Sequence, residues 1–452
     1  MSGKSDSVDD VLARLDTHGV SRRALLKLIG AGASAAAAGG LLAACGDDGG
    51  SATAGAATSA STGTSGTGAA LVADGSLAFL VMTNQLQYDV QMDQAAGAVA
   101  KQLGYNYASY DGRLDASLQL TQFQQAAARG VKGILLHSPD GSNVEGIAKA
   151  ADQQGIYLTN VWGTRAWLTP FDVGDHWTLY AQPDEYLVQG KVVQLLIDAL
   201  GGSGTIVRVS GVPGNSADTI RTAGAAAVLK RNPGVKLAGD LPGRWNPEDS
   251  QKAMESLLSR FPDTRGVIAQ NDDVATGVIA AIKAAGKKPG EDVLVVGADG
   301  TDLAAQRIKS GEQLGTTANV PAYAGYLLLA RLFDLQNGWR PRVPERMLQW
   351  ESVILTKDNV DPYLDRYVGD TAAPPFSIDL LSHVKAGDRW DPQFKLYPID
   401  DLDRLWEGND KPAGWKPPAD FTAAQQRGEF EAVAKEYAAA YRADVLGPSP
   451  AA

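Results

Sequence analysis

From Ser76 onward, short apolar runs alternate with helix-length amphipathic runs, and no other feature restricts the fold as tightly. "SLAFLVMTN", "GVKGILLHSP", "GIYLTNVW", "GTIVRVSG", "RGVIAQND", "DVLVVGADG" and "LGTTANV" are continuous apolar segments of strand length, the pattern of parallel strands buried on both faces. Between them, "NVEGIAKAADQQ", "DTIRTAGAAAVLKR" and "DVATGVIAAIKAAG" carry helical spacing. Alternating strands and helices with right-handed crossovers make a doubly wound α/β sheet, and there are too many strands for one ordinary lobe.

Open α/β sheets bind ligands beyond the carboxyl ends of their strands, so polar residues where an apolar run stops are the candidate site. They are Asn84, Gln85, Gln87, Tyr88 and Asp89 after the first run, and Asn160 and Trp162 after "IYLTN". Asn271, Asp299 and Asn319 follow three later runs, and Arg221 lies on the helix begun by "GNSADTIR". Asn and Asp at such places also cap helices, and Asp272 and Asp273, which directly precede a helix, are expected to be caps.

Ahead of the alternating region, "SRRALLKLIGAGASAAAAGGLLAACG" opens on paired arginines and ends on the single cysteine, Cys45. Its charged start, apolar middle and small-residue end suit an export signal better than a permanent span, which glycine weakens. Ser21 to Lys27 resembles a twin-arginine export motif, and Leu42 to Cys45 resembles a bacterial lipobox, in which the cysteine is lipidated. Residues 1–45 are therefore expected to be a twin-arginine, lipoprotein-type signal segment. Residues 46–75, almost all Gly, Ala, Ser and Thr, should form a flexible tether. The expected location is the outer face of the cytoplasmic membrane, in the cell envelope, held by the lipid anchor. Whether the twin-arginine or the general secretory route is used stays open.

A composition 44% hydrophobic and 21% charged is that of a globular core, and a net charge of −11 argues against a nucleic-acid partner. Four scattered histidines, without HExxH or paired-cysteine spacing, give no expected metal site, and no cofactor is expected. Neither a nucleophile elbow nor a P-loop occurs, so catalysis is not expected.

"AQNDDVATG" followed by "VVGADGTD", with "KQLGYN" earlier and "GVPGNSADTIR" between, resembles the type I periplasmic binding proteins of the ribose and galactose group, from about Ser76 to about Lys357. The resemblance implies two doubly wound parallel-sheet lobes joined by a three-segment hinge, closing on a solute that passes to an ABC transporter permease, with the protein acting as a monomer. It further implies that Asn271 and Asp299 bind sugar hydroxyls and that Arg221 is the pocket guanidinium. By the same resemblance Asn319 is a polar group on a crossing strand, Trp245 in "GRWNPED" an aromatic wall and Tyr88 a first-loop aromatic. Trp162 and Gly163 depart from the group, standing where its sugar-binding members place an Asp–Arg pair, and the first loop has Gln and Asp where relatives have Pro and Phe. A neutral pentose, hexose or sugar alcohol suits this set, with Asp299 a solvated carboxylate. A sensory lipoprotein would share these features, and a secreted enzyme fits them less well.

The expected boundaries are 76–182 with 320–348 for the N-terminal lobe, 183–319 with 349–361 for the C-terminal lobe, and 362–452 for an extension. Its aromatic, Pro-rich segments should wrap the lobes, and "AAQQRGEFEAVAKEYAAAYRADV" should form one final amphipathic helix.

Overall fold

The computed structural model describes Leu71, residues 75–368, 377–392 and 395–440, and Leu446. The expected signal segment, Cys45 and nearly all of the expected tether lie outside the described residues.

Two parallel sheets form, as the alternation requires. The first takes β1 (Ser76–Val81), β2 (Asn106–Asp111), β3 (Gly133–Leu136), β4 (Tyr157–Val161), β5 (Trp177–Pro183), β11 (Met347–Trp350) and β13 (Leu396–Pro398). Its order is β13-β11-β5-β4-β3-β1-β2, parallel except for the β13–β11 pair. The second takes β6 (Gly204–Ser210), β7 (Val235–Pro242), β8 (Thr264–Ala269), β9 (Leu294–Asp299), β10 (Gly315–Ala318) and β12 (Val353–Thr356), in the order β12-β10-β9-β8-β6-β7. Only β12 runs antiparallel to its neighbour.

Helices α1 (Gln87–Leu103), α2 (Ala116–Ala128) and α3 (Val144–Gln154) belong to the first lobe, and α4 (Glu185–Ala199), α5 (Ser216–Arg231), α6 (Pro247–Arg260), α7 (Asp272–Ala284) and α8 (Asp302–Ser310) to the second. α9 (Pro321–Gln336) returns to the first lobe, where it packs on α1, and α10 (Val360–Tyr367) packs on α8. The chain thus crosses between lobes after Pro183, after Ala318 and between Trp350 and Val353. β5 and β11 run one and two residues past the expected boundaries at 182 and 348, because apolar patterning sets a strand's existence better than its end.

α1 and α9 approach so closely that a Cβ on Gly325 would stand 2.2 Å from the Met92 carbonyl oxygen. Gly325→Ala must push the helices apart, and urea unfolding should show a loss of about 1–3 kcal/mol.

The extension completes the first lobe. β13 hydrogen-bonds to the free edge of β11, and Lys395 pairs with Glu351 of the third crossing at 3.1 Å. Trp406, fully buried, enters the cluster formed by Leu80, Ile134, Trp177 and Tyr180 on one face of the sheet. Trp390 and Tyr437 join the cluster on the other face. The single final helix expected is instead two, α13 (Ala419–Gln426) and α14 (Glu429–Ala440), following the one-turn helices α11 (His383–Ala386) and α12 (Leu402–Leu405). Gly428 between them has φ of 69°, a left-handed conformation that ends a helix at little steric cost. Arg404, at the end of α12, forms an ion pair with Asp184 at the first crossing.

Candidate functional site

The carboxyl ends of both sheets face one another across the cleft, and the residues delivered there enclose a cavity of about 420 Å3, part of it open to solvent. From the first lobe come Met82 and Leu86 in the loop after β1, Tyr88 and Asp89 on the first turn of α1, His137 after β3 and Trp162 after β4. From the second come Asn215 and Arg221 at the start of α5, Trp245 before α6, Asn271 after β8 and Asp299 at the end of β9.

Arg221 is the centre of the polar wall. Its Nε and Nη2 donate to the two Glu185 carboxylate oxygens at 2.6 and 3.0 Å, Nη2 also to Asp299 Oδ1 at 3.1 Å, and Nη1 to the Gln270 carbonyl at 2.8 Å. Burial works to lower the Arg221 pKa, but the Glu185 and Asp299 carboxylates together hold it above the usual range. Desolvation raises the Asp299 carboxyl well above its ordinary value despite Arg221, with Asp272 and Glu185 adding to the rise. The solvated Asp299 carboxylate expected from the sequence is therefore corrected: the residue is only 5% exposed and belongs to a buried ion network.

Trp245 stands with its ring 5.9 Å from the Arg221 guanidinium carbon. It lies so close over Gly211 that a Cβ there would meet the indole at 2.1 Å. On the opposite wall Trp162 packs edge-on to Tyr88 and tilted against His137, whose Nδ1 is 2.7 Å from Asp89 Oδ1. Burial raises the Asp89 pKa, opposed by His137. Tyr88 Oη and Asp89 Oδ2 are buried without hydrogen-bond partners among the described residues, so the cavity wall holds unsatisfied polar capacity. Trp162, Trp245 and Asp299 also adopt positive φ of 44°, 63° and 113°, conformations costly for residues with a Cβ and concentrated at functional sites.

The lobes are closed on one another. Asn215 Nδ2 donates across the cleft to the Pro139 carbonyl at 2.7 Å, and the Trp162 indole N–H donates to Glu185 Oε1 at 2.6 Å. Met82 and Leu86 pack with Trp245 and Val274 in the second lobe's apolar cluster.

Of the residues singled out in the sequence, Tyr88, Asp89, Trp162, Arg221, Trp245, Asn271 and Asp299 line the cavity. Asn84, Gln85, Asn160 and Asn319 do not. Asn84 and Gln85 are exposed on the loop after β1, where the Asn84 backbone N–H donates to Asp111. Asn160 turns into the sheet and donates to the carbonyls of Leu136 and Trp162, at 3.2 and 3.3 Å. Asn319 binds Ser352 through its side chain and Trp350 through its carbonyl, so it ties two crossing segments together. The cap of α7 is Asn271, which accepts the Val274 N–H at 2.8 Å while also lining the cavity. Asp272, expected to be a cap, accepts from the backbone of Gly300 and Thr301 and the side chains of Gln313 and Thr316, bracing the loop after β9. Met82, Leu86, His137, Asn215 and Ala217 were not anticipated in the cavity wall. His137 was within reach, since it stands where the run "GILLHSP" stops. Trp167 packs against Trp406 and Trp415 outside the cavity. Among the described residues no group of three metal-ligating side chains and no membrane-length apolar helix occurs.

Asp273, at the closed seam, accepts the Gln87 backbone N–H at 3.5 Å. Burial, with Asp272 and Asp89 adding, raises its pKa to about 7. An unfolded aspartate titrates near 3.9, so the folded chain holds the extra proton between roughly pH 4 and 7. The stability linked to this proton is fully present below about pH 4 and is lost as pH rises through about 7. Asp273→Asn should remove that decline, gaining on the order of 2–3 kcal/mol at pH 8.5 relative to pH 5. Melting temperatures of both proteins at the two pH values check it.

Residues 77–338 match the periplasmic binding protein domain family, and the chain belongs to it. Its sequence is 29% identical over 281 residues to a xylitol-binding protein of Mycolicibacterium smegmatis, covering 61% of this chain and 75% of that one. It is 28% identical over 255 residues to the ribose import binding protein of Salmonella typhimurium, covering 56% and 82%. The fold superposes with a TM-score of 0.62 on the twin-arginine translocation pathway signal protein of Burkholderia phytofirmans, at 24% identity, covering 67% of this chain and 95% of that one. Two parallel-sheet lobes with three crossings are thus the type I architecture, and the family implies a place outside the cytoplasm.

Proposed function

We propose that this chain is an extracytoplasmic solute-binding lipoprotein that captures a neutral carbohydrate by hinge closure and delivers it to an ABC importer. The observation that carries the reading is the interlobe cavity, in which the second lobe's Arg221, Asp299, Asn271 and Trp245 face Tyr88 and Trp162 of the first. Paired, partly charge-assisted donors and acceptors bind vicinal hydroxyls, and aromatic faces receive the C–H side of a sugar ring. The Arg221 charge is already met by Glu185 and Asp299, so it does not call for an anionic solute. The relatives named for xylitol and ribose support the same class. In this reading Cys45 carries the lipid, residues 1–45 direct export, and the following tether lets the lobes reach a membrane permease.

Melting of the soluble domain against pentoses, hexoses and sugar alcohols tests the assignment. A solute at about 1,000 times its Kd adds roughly 4 kcal/mol to the folded state, enough for a shift of several degrees. Asp299→Asn should abolish that shift. A shift with an amino acid or purine, and none with any carbohydrate, would overturn the class. Separately, Cys45→Ala should release the full-length protein from membranes, and its retention there would count against lipid anchoring.

A further inference from the structure

Glu185 is the first residue of α4, immediately beyond the first crossing, and is 1% exposed. One carboxylate oxygen receives both the Trp162 indole N–H, from the other lobe, and Arg221 Nη2, while the second oxygen receives Arg221 Nε. The Trp162–Glu185 bond therefore spans the lobes, whereas the Glu185–Arg221 bonds lie within the second lobe beside Asp299. Trp162 reaches this partner from a left-handed backbone conformation, held by its own N–H to the Ala181 carbonyl and by Asn160 Nδ2 to its carbonyl, both at 3.3 Å. A tryptophan kept at φ of 44° implies that the surroundings over-determine its direction, and that direction is toward Glu185.

We propose that Glu185 is a closure latch and positioning residue: on closure its carboxylate captures the Trp162 indole while holding the Arg221 guanidinium aimed at the cavity. The proposal rests on reading the cleft as a solute site. It gives Trp162 a role where the resemblance expected an Asp–Arg pair: the carboxylate is supplied from the hinge side, and the N-terminal lobe contributes a donor. The latch forms only after a solute has entered, so it slows departure without slowing entry. A hydrogen bond to a charged group corresponds to roughly tenfold to hundredfold in an equilibrium constant.

The test uses the soluble domain with xylitol as probe. Trp162→Phe keeps the ring packing and removes only the N–H, so its solute-free melting temperature should match the parent's. Its xylitol dissociation rate should rise about tenfold or more at an unchanged association rate, a split that loss of general stability does not produce. Glu185→Gln should raise dissociation further, and the double variant should lose less than the sum of the singles, because both remove one shared contact. Small-angle scattering with saturating xylitol should show a larger radius of gyration for Trp162→Phe than for the parent. Unchanged dissociation and unchanged radius overturn the latch. If xylitol does not bind the parent while another solute of the panel does and compacts the parent more than the variant, the polyol reading falls and the latch stands.

Discussion

Arg221→Met is expected to cost about 3–5 kcal/mol of folding stability and to abolish solute-dependent melting shifts. The residue is 3% exposed and is the cation shared by Glu185 and Asp299, which lie 2.6 and 3.1 Å from its donors. Without it two carboxylates stay buried with no counter-charge, and the Gln270 carbonyl loses its guanidinium donor. Breaking one side of a buried ion network costs far more than the pair contributes over an apolar substitute, because the remaining charge keeps its full desolvation penalty. Adding Glu185→Gln to Arg221→Met should therefore recover much of the stability while recovering no solute binding. Urea unfolding of the single and double variants checks the first part, and the solute panel the second. Equal destabilisation in both would show that Glu185 does not carry the uncompensated charge.

Trp406→Ala is expected to cost about 3–5 kcal/mol, the usual range for removing a fully buried large aromatic. This residue belongs to the extension beyond the family match, yet its ring contacts Tyr180 of β5 and Trp167, at centroid distances of 6.4 and 6.3 Å. The loss should appear in the unfolding of the first lobe, since Trp406 shares its cluster with Leu80, Ile134 and Trp177 of that sheet. A loss below about 1 kcal/mol would mean that the extension is an appendage and not part of the lobe's core. Solute affinity serves as the internal control, because Trp406 does not reach the cavity.

Much of the architecture could be read from local pattern. The seven apolar runs became β1, β3, β4, β6, β8, β9 and β10, the central strands and their flanks, because burial on both faces leaves a continuous apolar signature. β2 and β7 escaped notice for the complementary reason. Both are sheet edges with much of their length at least partly exposed, so "NYASYD" and "VKLAGDLP" show no such run. β13 is three residues long and exists only because β11 offers an edge, a pairing with no local trace.

The site divides in the same way. Arg221, Asn271 and Asp299 were legible because strand ends and a helix start fix where a side chain goes, and motif order supported them. Asn160 and Asn319 obey the same strand-end rule, yet they turn away to satisfy backbone carbonyls and a crossing segment. Nothing in the residue types distinguishes an amide that faces a cleft from one that ties down a loop. Glu185 lay outside the candidate set because its importance depends on Arg221, distant in sequence within its own lobe, and on Trp162 of the other lobe, which meets it across the closed cleft. Periodicity is a property of neighbours in the chain, and by itself it determined two wound sheets and the strand ends where a ligand must sit. Which of those polar ends face the cavity, how their charges are neutralised and where the extension packs were decided by contacts between distant segments. Those contacts form only when burial removes the water that each group would otherwise bind.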